Sequence, residues 1–229
     1  MDRVMTDEGV VFLIDKPYGW TSFDVVKKVR NSLRIKKVGH AGTLDPLATG
    51  LLVVCAGKMT KQIDRYQSQE KEYEGTFVIG KTTESFDLER EITDVSEIGH
   101  IQTEDLLAAS RKLTGDLLQV PPMHSAIKKD GKRVYLAARK GETVEMDPRP
   151  VTVSRFEITG VNLPEVHFRI VCSKGTYIRS LARDFGEILG VGAYLSSLVR
   201  TRIGNLRLKD ADQLPGLIEK LKEARHENL

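Results

Sequence analysis

Lys37-Val38-Gly39-His40-Ala41-Gly42-Thr43-Leu44-Asp45-Pro46-Leu47-Ala48-Thr49-Gly50 is the stretch on which the reading of this chain turns. Its three glycines permit backbone conformations that other residues resist, and they let a ligand come close to the main chain. Before it, Lys27 to Lys37 holds six basic residues and no acid. After it, Gly50-Leu51-Leu52-Val53-Val54-Cys55 reads as a buried strand. Asp45 has two readings here. Asp followed by Pro is a usual N-cap and first-turn pair of a short helix; an acid on a glycine-rich loop beside a basic helix is also a candidate catalytic group. His40 fits a surface or packing position, and no local residue fixes a partner for it.

Working outward, Gly9–Ile14 reads as a strand stopped by Asp15-Lys16-Pro17. Thr21-x-x-Asp24 opens a helix as a capping-box variant, with Phe23, Val26, Val29 and Leu33 expected on its inner face. Met59, Ile63 and Tyr66 have helical spacing. Residues 71–80 alternate like a strand, which on pattern alone makes Tyr73 a core residue. The acidic stretch 82–99 reads as irregular. A helix runs from Thr103 to Leu113. Residues 119–150 lose periodicity, apart from a short helical piece at 134–140, and are bounded by Pro121-Pro122 and Pro148-Arg149-Pro150, as expected of an inserted loop. Residues 151–161 and 165–173 predict an antiparallel pair. A helix after Gly175-Thr176 should turn Ile178, Leu181, Phe185 and Ile188 inward, and a strand near 202–208 and a helix after Pro215 complete the pattern. Hairpins mixed with helical crossovers predict an α+β fold with a mixed sheet.

The 229 residues suffice for one large domain or two small ones, and 40% hydrophobic with 29% charged residues is ordinary for a soluble globular protein. No apolar run approaches the roughly 20 residues of a membrane span, and the acidic start does not read as a signal peptide. A cytoplasmic location is expected. Cys55 and Cys172 sit in apolar runs, as small buried hydrophobes do. The histidines lack metal-ligand spacing and there is no Cys-x-x-Cys, so no metal is expected.

Net charge is only +3, but it is segregated. Besides residues 27–37, basic clusters occur at Lys128, Lys129, Lys132, Arg133, Arg139 and Lys140, and at Arg200, Arg202, Arg207 and Lys209. These suit a face that binds a polyanion, or equally a set of solvated faces.

Motifs remove several enzyme classes. Gly57-Lys58-Met59-Thr60 ends like a P-loop, but Leu52 stands where the first glycine belongs. Gly186, Gly190 and Gly192 follow a helix, unlike a dinucleotide fingerprint. No Gly-x-Ser-x-Gly occurs. Ser173-Lys174-Gly175-Thr176-Tyr177-Ile178-Arg179 brings a strand end, a turn and an arginine in the first turn of a helix, which suits an anion. Arg179 could instead pair with a structural carboxylate; the two are compatible.

Taken together, the segments Leu13–Pro17, Gly39–Gly50, Lys71-x-Tyr73, Val120–Lys128, Arg149-Pro150-Val151, Cys172–Arg179 and Leu198–Arg202 resemble, in order, the bacterial tRNA pseudouridine synthase B (TruB) family. The resemblance implies an isomerase that converts the T-loop uridine at tRNA position 55 to pseudouridine without a cofactor. It implies Asp45 as the catalytic carboxylate and Tyr73 as the ring that stacks on the flipped uracil. Arg179 becomes the partner of the aspartate, Tyr177 and Leu198 pocket residues, and His40 the side chain that fills the space left by the base. Lys16 lies near the site.

The implied fold is that of pseudouridine synthases: a mixed, mostly antiparallel sheet flanked by helices. Residues 1–229 would form the catalytic domain, with 119–150 as an RNA-clasping loop whose Lys128, Lys132 and Arg133 meet the RNA backbone. The family's C-terminal domain, often of PUA type, is expected to be lacking. The T-arm of tRNA is the expected partner, with no membrane and no obligate protein partner, for a monomer. Where family members carry Thr-Asp-Thr-x-Asp-x-x-Gly, this chain has Thr82–Glu89, and His124 stands where tyrosine is common. A rival reading is an RNA-binding or RNA-folding protein in which catalysis is secondary.

Overall fold

A computed structural model describes residues 9–122, 128–129, 132–133 and 146–226. Along the chain run β1 (Val10–Lys16), α1 (Ser22–Leu33), β2 (Val38–His40), β3 (Thr49–Ala56), a 3-10 turn (Gly57–Gln62) leading into α2 (Ile63–Gln67), and β4 (Lys71–Ile79). Next come β5 (Lys81–Thr83), β6 (Ile92–Val95), α3 (Thr103–Lys112), β7 (Gly115–Gln119), β8 (Lys128–Lys129) and β9 (Lys132–Arg133). Then follow β10 (Arg149–Asn162), β11 (Glu165–Cys172), α4 (Ile178–Leu189), β12 (Ala193–Ile203), β13 (Leu206–Arg207), β14 (Asp212–Gln213) and α5 (Leu214–His226). The expected helix at 134–140 lies outside the described residues. Among the described residues no helix is long and apolar enough to cross a membrane.

The chain forms two compact units, residues 9–73 with 198–226, and residues 74–197. In the first, the strand order is β14-β1-β3-β12. β3 is antiparallel to β1, with Ile14 opposite Leu52, and parallel to β12, with Arg200 opposite Gly50. β3 is buried on both faces, which is why its sequence is a continuous apolar run. On one face Phe12, Ile14, Leu52 and Val54 pack against Val25, Val26 and Val29 of α1 and Leu217 and Ile218 of α5. On the other, Leu51, Val53 and Cys55 meet Ala41 and Ile203, with Met59, Ile63 and Tyr66 packed beside them. Burial pushes the Cys55 thiol pKa up to about 11, so it stays a protonated, unreactive core residue.

Helix α1 starts as its sequence predicts. The Thr21 hydroxyl accepts from Asp24 N–H at 3.0 Å, and the Asp24 carboxylate accepts from Thr21 N–H at 3.0 Å. Val26 and Val29 face inward as expected, but Phe23 does not: it lies about 100° round the helix from Ser22, which does. Ser22, Val25, Val26 and Val29 are buried, while Phe23 is 60% exposed. Ser22 takes the inward place because its hydroxyl has buried backbone partners, described below.

In the second unit the order is β12-β4-β11-β10-β7, with β10 antiparallel to both neighbours. Four phenylalanines make its centre. Phe77 lies 4.3 Å from Phe168 and 5.6 Å from Phe185 between ring centroids, and meets Phe156 edge-on at 6.1 Å. In α4, Ile178, Leu181 and Phe185 face inward as expected; Ile188, in the last turn, is 38% exposed. The acidic stretch is more regular than its sequence suggests. β5 and β6 pair as an antiparallel hairpin, and the Thr82 hydroxyl donates to Asp94 at 2.8 Å. The strand expected near 202–208 is instead β12, which begins at Ala193 and ends at Ile203, followed by the short β13.

The α+β class with a mixed, mostly antiparallel sheet is therefore as the sequence predicts.

Candidate active site

The loop between β2 and β3 is tied down at almost every turn. Ala41 N–H donates to Val53 O at 2.9 Å. The Ser22 hydroxyl accepts from Leu44 N–H at 2.9 Å and donates to Leu44 O at 3.2 Å. Pro46 O accepts from Gly19 N–H at 2.9 Å and from Lys16 Nζ at 3.2 Å. Gly50 N–H, at the start of β3, donates to the Asp15 carboxylate at 3.1 Å. Asp45 thus sits between two residues whose backbones are fixed, with its side chain half-buried.

Asp45 does not cap a helix. Its carbonyl accepts from Ala48 N–H at 3.1 Å, closing a four-residue turn with Pro46 at the second position. Proline sets the dihedral needed there, so the Asp-Pro pair makes a turn instead.

Arg200 holds the same loop from β12 and is only 1% exposed. Its Nε donates to Leu51 O at 2.7 Å, Nη2 to Gly42 O at 3.1 Å and Nη1 to Thr43 O at 3.4 Å. The close strand pairing demands glycine at position 50. There φ is +98°, and a Cβ would lie 2.5 Å from Arg200 O. Arg200 therefore does not belong to a surface basic face, as its cluster suggested. Arg202 is also engaged, at 2.9 Å from the Glu70 carboxylate. That cluster splits into one buried clamp, one paired arginine and the exposed Arg207 and Lys209.

Lys16 is fully buried. Its ammonium donates to the carbonyls of Pro17 at 3.0 Å, Trp20 at 2.5 Å and Pro46 at 3.2 Å. Burial lowers its pKa to about 8; the charge of Asp45 acts in the opposite direction, and that of Arg200 adds to the lowering. The carboxylate of Asp45 is thus within the electrostatic reach of a buried cation. His40, at the end of β2, has its pKa held below the ordinary imidazole value, first by burial and then by Arg200, against a raising effect of the Gly42 backbone. Its ring is neutral at pH 7, and Nδ1 is buried with no hydrogen-bond partner among the described residues. Tyr73 is 8% exposed near the start of β4, and Leu198 is 9% exposed on β12.

The second unit holds Tyr177 and Arg179. Tyr177 is the N-cap residue of α4, and the buried Gln119 side chain fixes its backbone. Gln119 Oε1 accepts from Tyr177 N–H at 2.8 Å, and Nε2 donates to Tyr177 O at 3.1 Å. One turn on, the Ser180 hydroxyl donates to Val120 O at 2.8 Å. Arg179 is 3% exposed; its partners include the Asp87 carboxylate, Nε to Oδ2 3.6 Å, and Ser85 O at 3.3 Å. Asp87 itself accepts from the Ser85 hydroxyl at 2.6 Å and from Glu89 N–H at 2.9 Å. The reading of Arg179 as a residue with a structural carboxylate is therefore realised in part by Asp87.

Of the basic insertion, the backbones of Lys128 and Lys129 pair with those of Arg133 and Lys132 as a two-stranded ribbon. Arg139 and Lys140 lie outside the described residues.

Ser22, Arg200 and Gln119 hold candidate residues or their loop in place through contacts that sequence reasoning did not assign, and Asp87, to which no role was given, pairs with Arg179. One signal was available for Arg200. Strand alternation puts residues 198, 200 and 202 on one face, so Arg200 shares the face of Leu198.

Comparison with solved structures gives the class. The chain is similar to a chain of a Cbf5-Nop10-Gar1 complex, with a TM-score of 0.75 and 28% identity, covering 97% of this chain and 57% of that one. It is also similar to a chain of an H/ACA RNP bound to a substrate RNA containing 2'-deoxyuridine, with a TM-score of 0.72 and 25% identity, covering 97% and 56%. The fold is that of pseudouridine synthases.

Residues 30–178 match the TruB family pseudouridylate synthase N-terminal domain. A tRNA pseudouridine synthase B of Flavobacterium johnsoniae is 52% identical over 211 residues, 89% of this chain and 92% of that protein. The one from Chloroherpeton thalassium is 46% identical over 228 residues, 96% and 95% of the two. This chain belongs to the TruB family of pseudouridylate synthases and is an isomerase.

Proposed function

We propose that this enzyme converts the T-loop uridine of tRNA, position 55, to pseudouridine, with Asp45 as the catalytic carboxylate. The observation that carries the reading is the setting of Asp45: a half-buried acid on a loop pinned on both sides, near the buried ammonium of Lys16. A carboxylate so held needs little reorganisation to meet a reacting carbon.

A uridine inside a folded loop must be extruded before its glycosidic bond can be reached, which costs a few kcal/mol that pocket contacts offset. Tyr73 offers the aromatic face for the extruded uracil, and stacking of that kind contributes about 1–3 kcal/mol. The neutral ring of His40 fills the vacated place without repelling or attracting phosphate. Leu198 lines the pocket, and Tyr177 and Arg179 contact the substrate from α4. In the reaction the N1–C1′ bond breaks, the uracil turns, and C5 bonds to C1′. The proton on C5 leaves to solvent and N1 gains one, so no electron donor or acceptor is required. Asp45 acts at the ribose, as nucleophile on C1′ or as base.

Residues 119–150 are proposed to clasp the T-arm, with Lys128, Lys132 and Arg133 on its phosphates; RNA of this kind is read by shape, backbone and splayed bases. The enzyme is proposed to work in the cytoplasm, as a monomer and without a cofactor.

The test is incubation with unmodified tRNA, followed by mapping of pseudouridine by nucleotide. Pseudouridine at the T-loop position is expected. Pseudouridine solely elsewhere would keep the enzyme class and overturn the substrate.

A further inference from the structure

Tyr18, Trp20 and Phe23 are 63%, 37% and 60% exposed, and among the described residues every exposed Phe, Tyr or Trp side chain falls in this one six-residue segment. An isolated exposed ring of this kind needs no explanation; three together, where the other such rings among the described residues are wholly or partly covered, mark a contact surface. Beside them lies an open cleft of about 320 Å³ lined by Gly19, Trp20, Asp24, Lys27, Lys28 and Asn31. That volume is at the low end of ligand sites, which span roughly 300–1,000 Å³.

The chemistry of the cleft favours one occupant. Trp20 supplies a π-face, and Lys27 and Lys28, both exposed on α1, supply positive charge. Arg34, Lys36 and Lys37 continue the exposed positive charge toward β2. Asp24, the acid in the cleft, is already engaged by the Thr21 N–H and hydroxyl at 3.0 and 2.5 Å. Aromatic faces interleaved with cations are what bind unpaired nucleotides, the base by stacking and the phosphate by charge.

The platform is also joined to the catalytic loop. Lys16 donates to the carbonyls of both Pro17 and Trp20, and Gly19 N–H donates to Pro46 O, next to Asp45. A segment anchored this way loses little freedom on binding.

We propose that this cleft is a second nucleotide site, distinct from the one that takes the target uridine. It holds an unpaired nucleotide of the substrate RNA with its base on Trp20 and its phosphate at Lys27 and Lys28. The proposal rests on RNA being the substrate.

Trp20 is the one tryptophan of the chain, so its fluorescence reads this position alone. Titrating a T-arm stem-loop into the full chain carrying Asp45→Asn, which holds RNA without turnover, should quench that fluorescence. In the otherwise native enzyme, Lys27→Ala with Lys28→Ala should raise the KM for RNA about tenfold at near-native kcat, and lower the salt slope of binding by about 0.7, the share of one phosphate. Binding seen by filter retention with unchanged fluorescence would overturn the proposal. So would a fluorescence change that follows protein concentration without RNA, which would assign the patch to contact between copies of the chain. If the native enzyme makes no pseudouridine in any tRNA, the proposed function fails instead, while the titration still reads the cleft.

Discussion

The Ser22 hydroxyl closes both backbone groups of Leu44, accepting from its N–H at 2.9 Å and donating to its carbonyl at 3.2 Å. A buried serine on the first turn of α1 thereby fixes the residue before Asp45, 22 positions along the chain. Fold and site meet in this contact: a helix start packed into the core sets where the carboxylate stands.

Ser22→Ala leaves two buried backbone groups without partners, at a cost of about 1–3 kcal/mol. A thermal melt should show the lower stability. Single-turnover kinetics should show a slower chemical step, because the loop can drift, with RNA affinity close to native. Native single-turnover rates in a destabilised variant would mean that the contact supports the fold alone.

Lys16 links activity to pH. Its ammonium has three N–H donors for three carbonyls, and a neutral amine has two. As pH rises through about 8, one of these bonds and the positive charge near Asp45 are lost. The single-turnover rate should therefore fall on the alkaline side with a midpoint near 8, and Lys16→Met should be slow at every pH and lack that midpoint. The stability contribution has the opposite sign. Between the folded value of about 8 and the ordinary 10.5, the unfolded chain binds more protons, so this group makes folding more favourable as pH rises. Denaturant melts across that window should separate lost activity from unfolding.

Arg200→Met removes the positive charge that helps depress His40, two bonds to the loop and one to β3. The His40 pKa should rise, as read by NMR titration of the imidazole. Midpoint stability should fall by about 3 kcal/mol, the scale of losing hydrogen bonds from a buried charged group. An unmoved His40 titration would show that burial alone holds it down.

Lys128→Ala with Lys132→Ala should weaken T-arm binding for all sequences alike and flatten its salt dependence, by roughly 0.7–0.9 in log–log slope for each phosphate no longer neutralised. An unchanged slope would count against the insertion as the RNA clasp.

Much of the scaffold was legible because its causes are local. The apolar run of β3, the Thr21–Asp24 capping box and the β10–β11 pair each follow from neighbouring residues. The family was legible through a resemblance in motifs, which the family match over residues 30–178 bears out, and the roles it implies for Asp45, Tyr73 and Arg179 are proposals. The supports of the site were not legible. Arg200 reaches Leu51 across 149 positions and Gly42 across 158; the one local signal, strand alternation with Leu198, gives its face but not its partners. Phe23 looked like a core residue because its polar neighbour Ser22 did not; the buried partners of Ser22 reverse the two. Asp45-Pro46 made a turn where a helix cap was equally consistent, because the carbonyl of Pro46 is claimed by Gly19 and Lys16.

Asp45→Asn tests the central claim most directly. The substitution keeps the size of the side chain and removes its charge, and the backbone ties of Leu44 and Pro46 do not depend on it. With tRNA carrying tritium at C5 of uridine, the native enzyme should release label at the T-loop position. The variant should bind the same RNA with near-native affinity and release none above background. Equal release by the two would contradict Asp45 as the catalytic carboxylate.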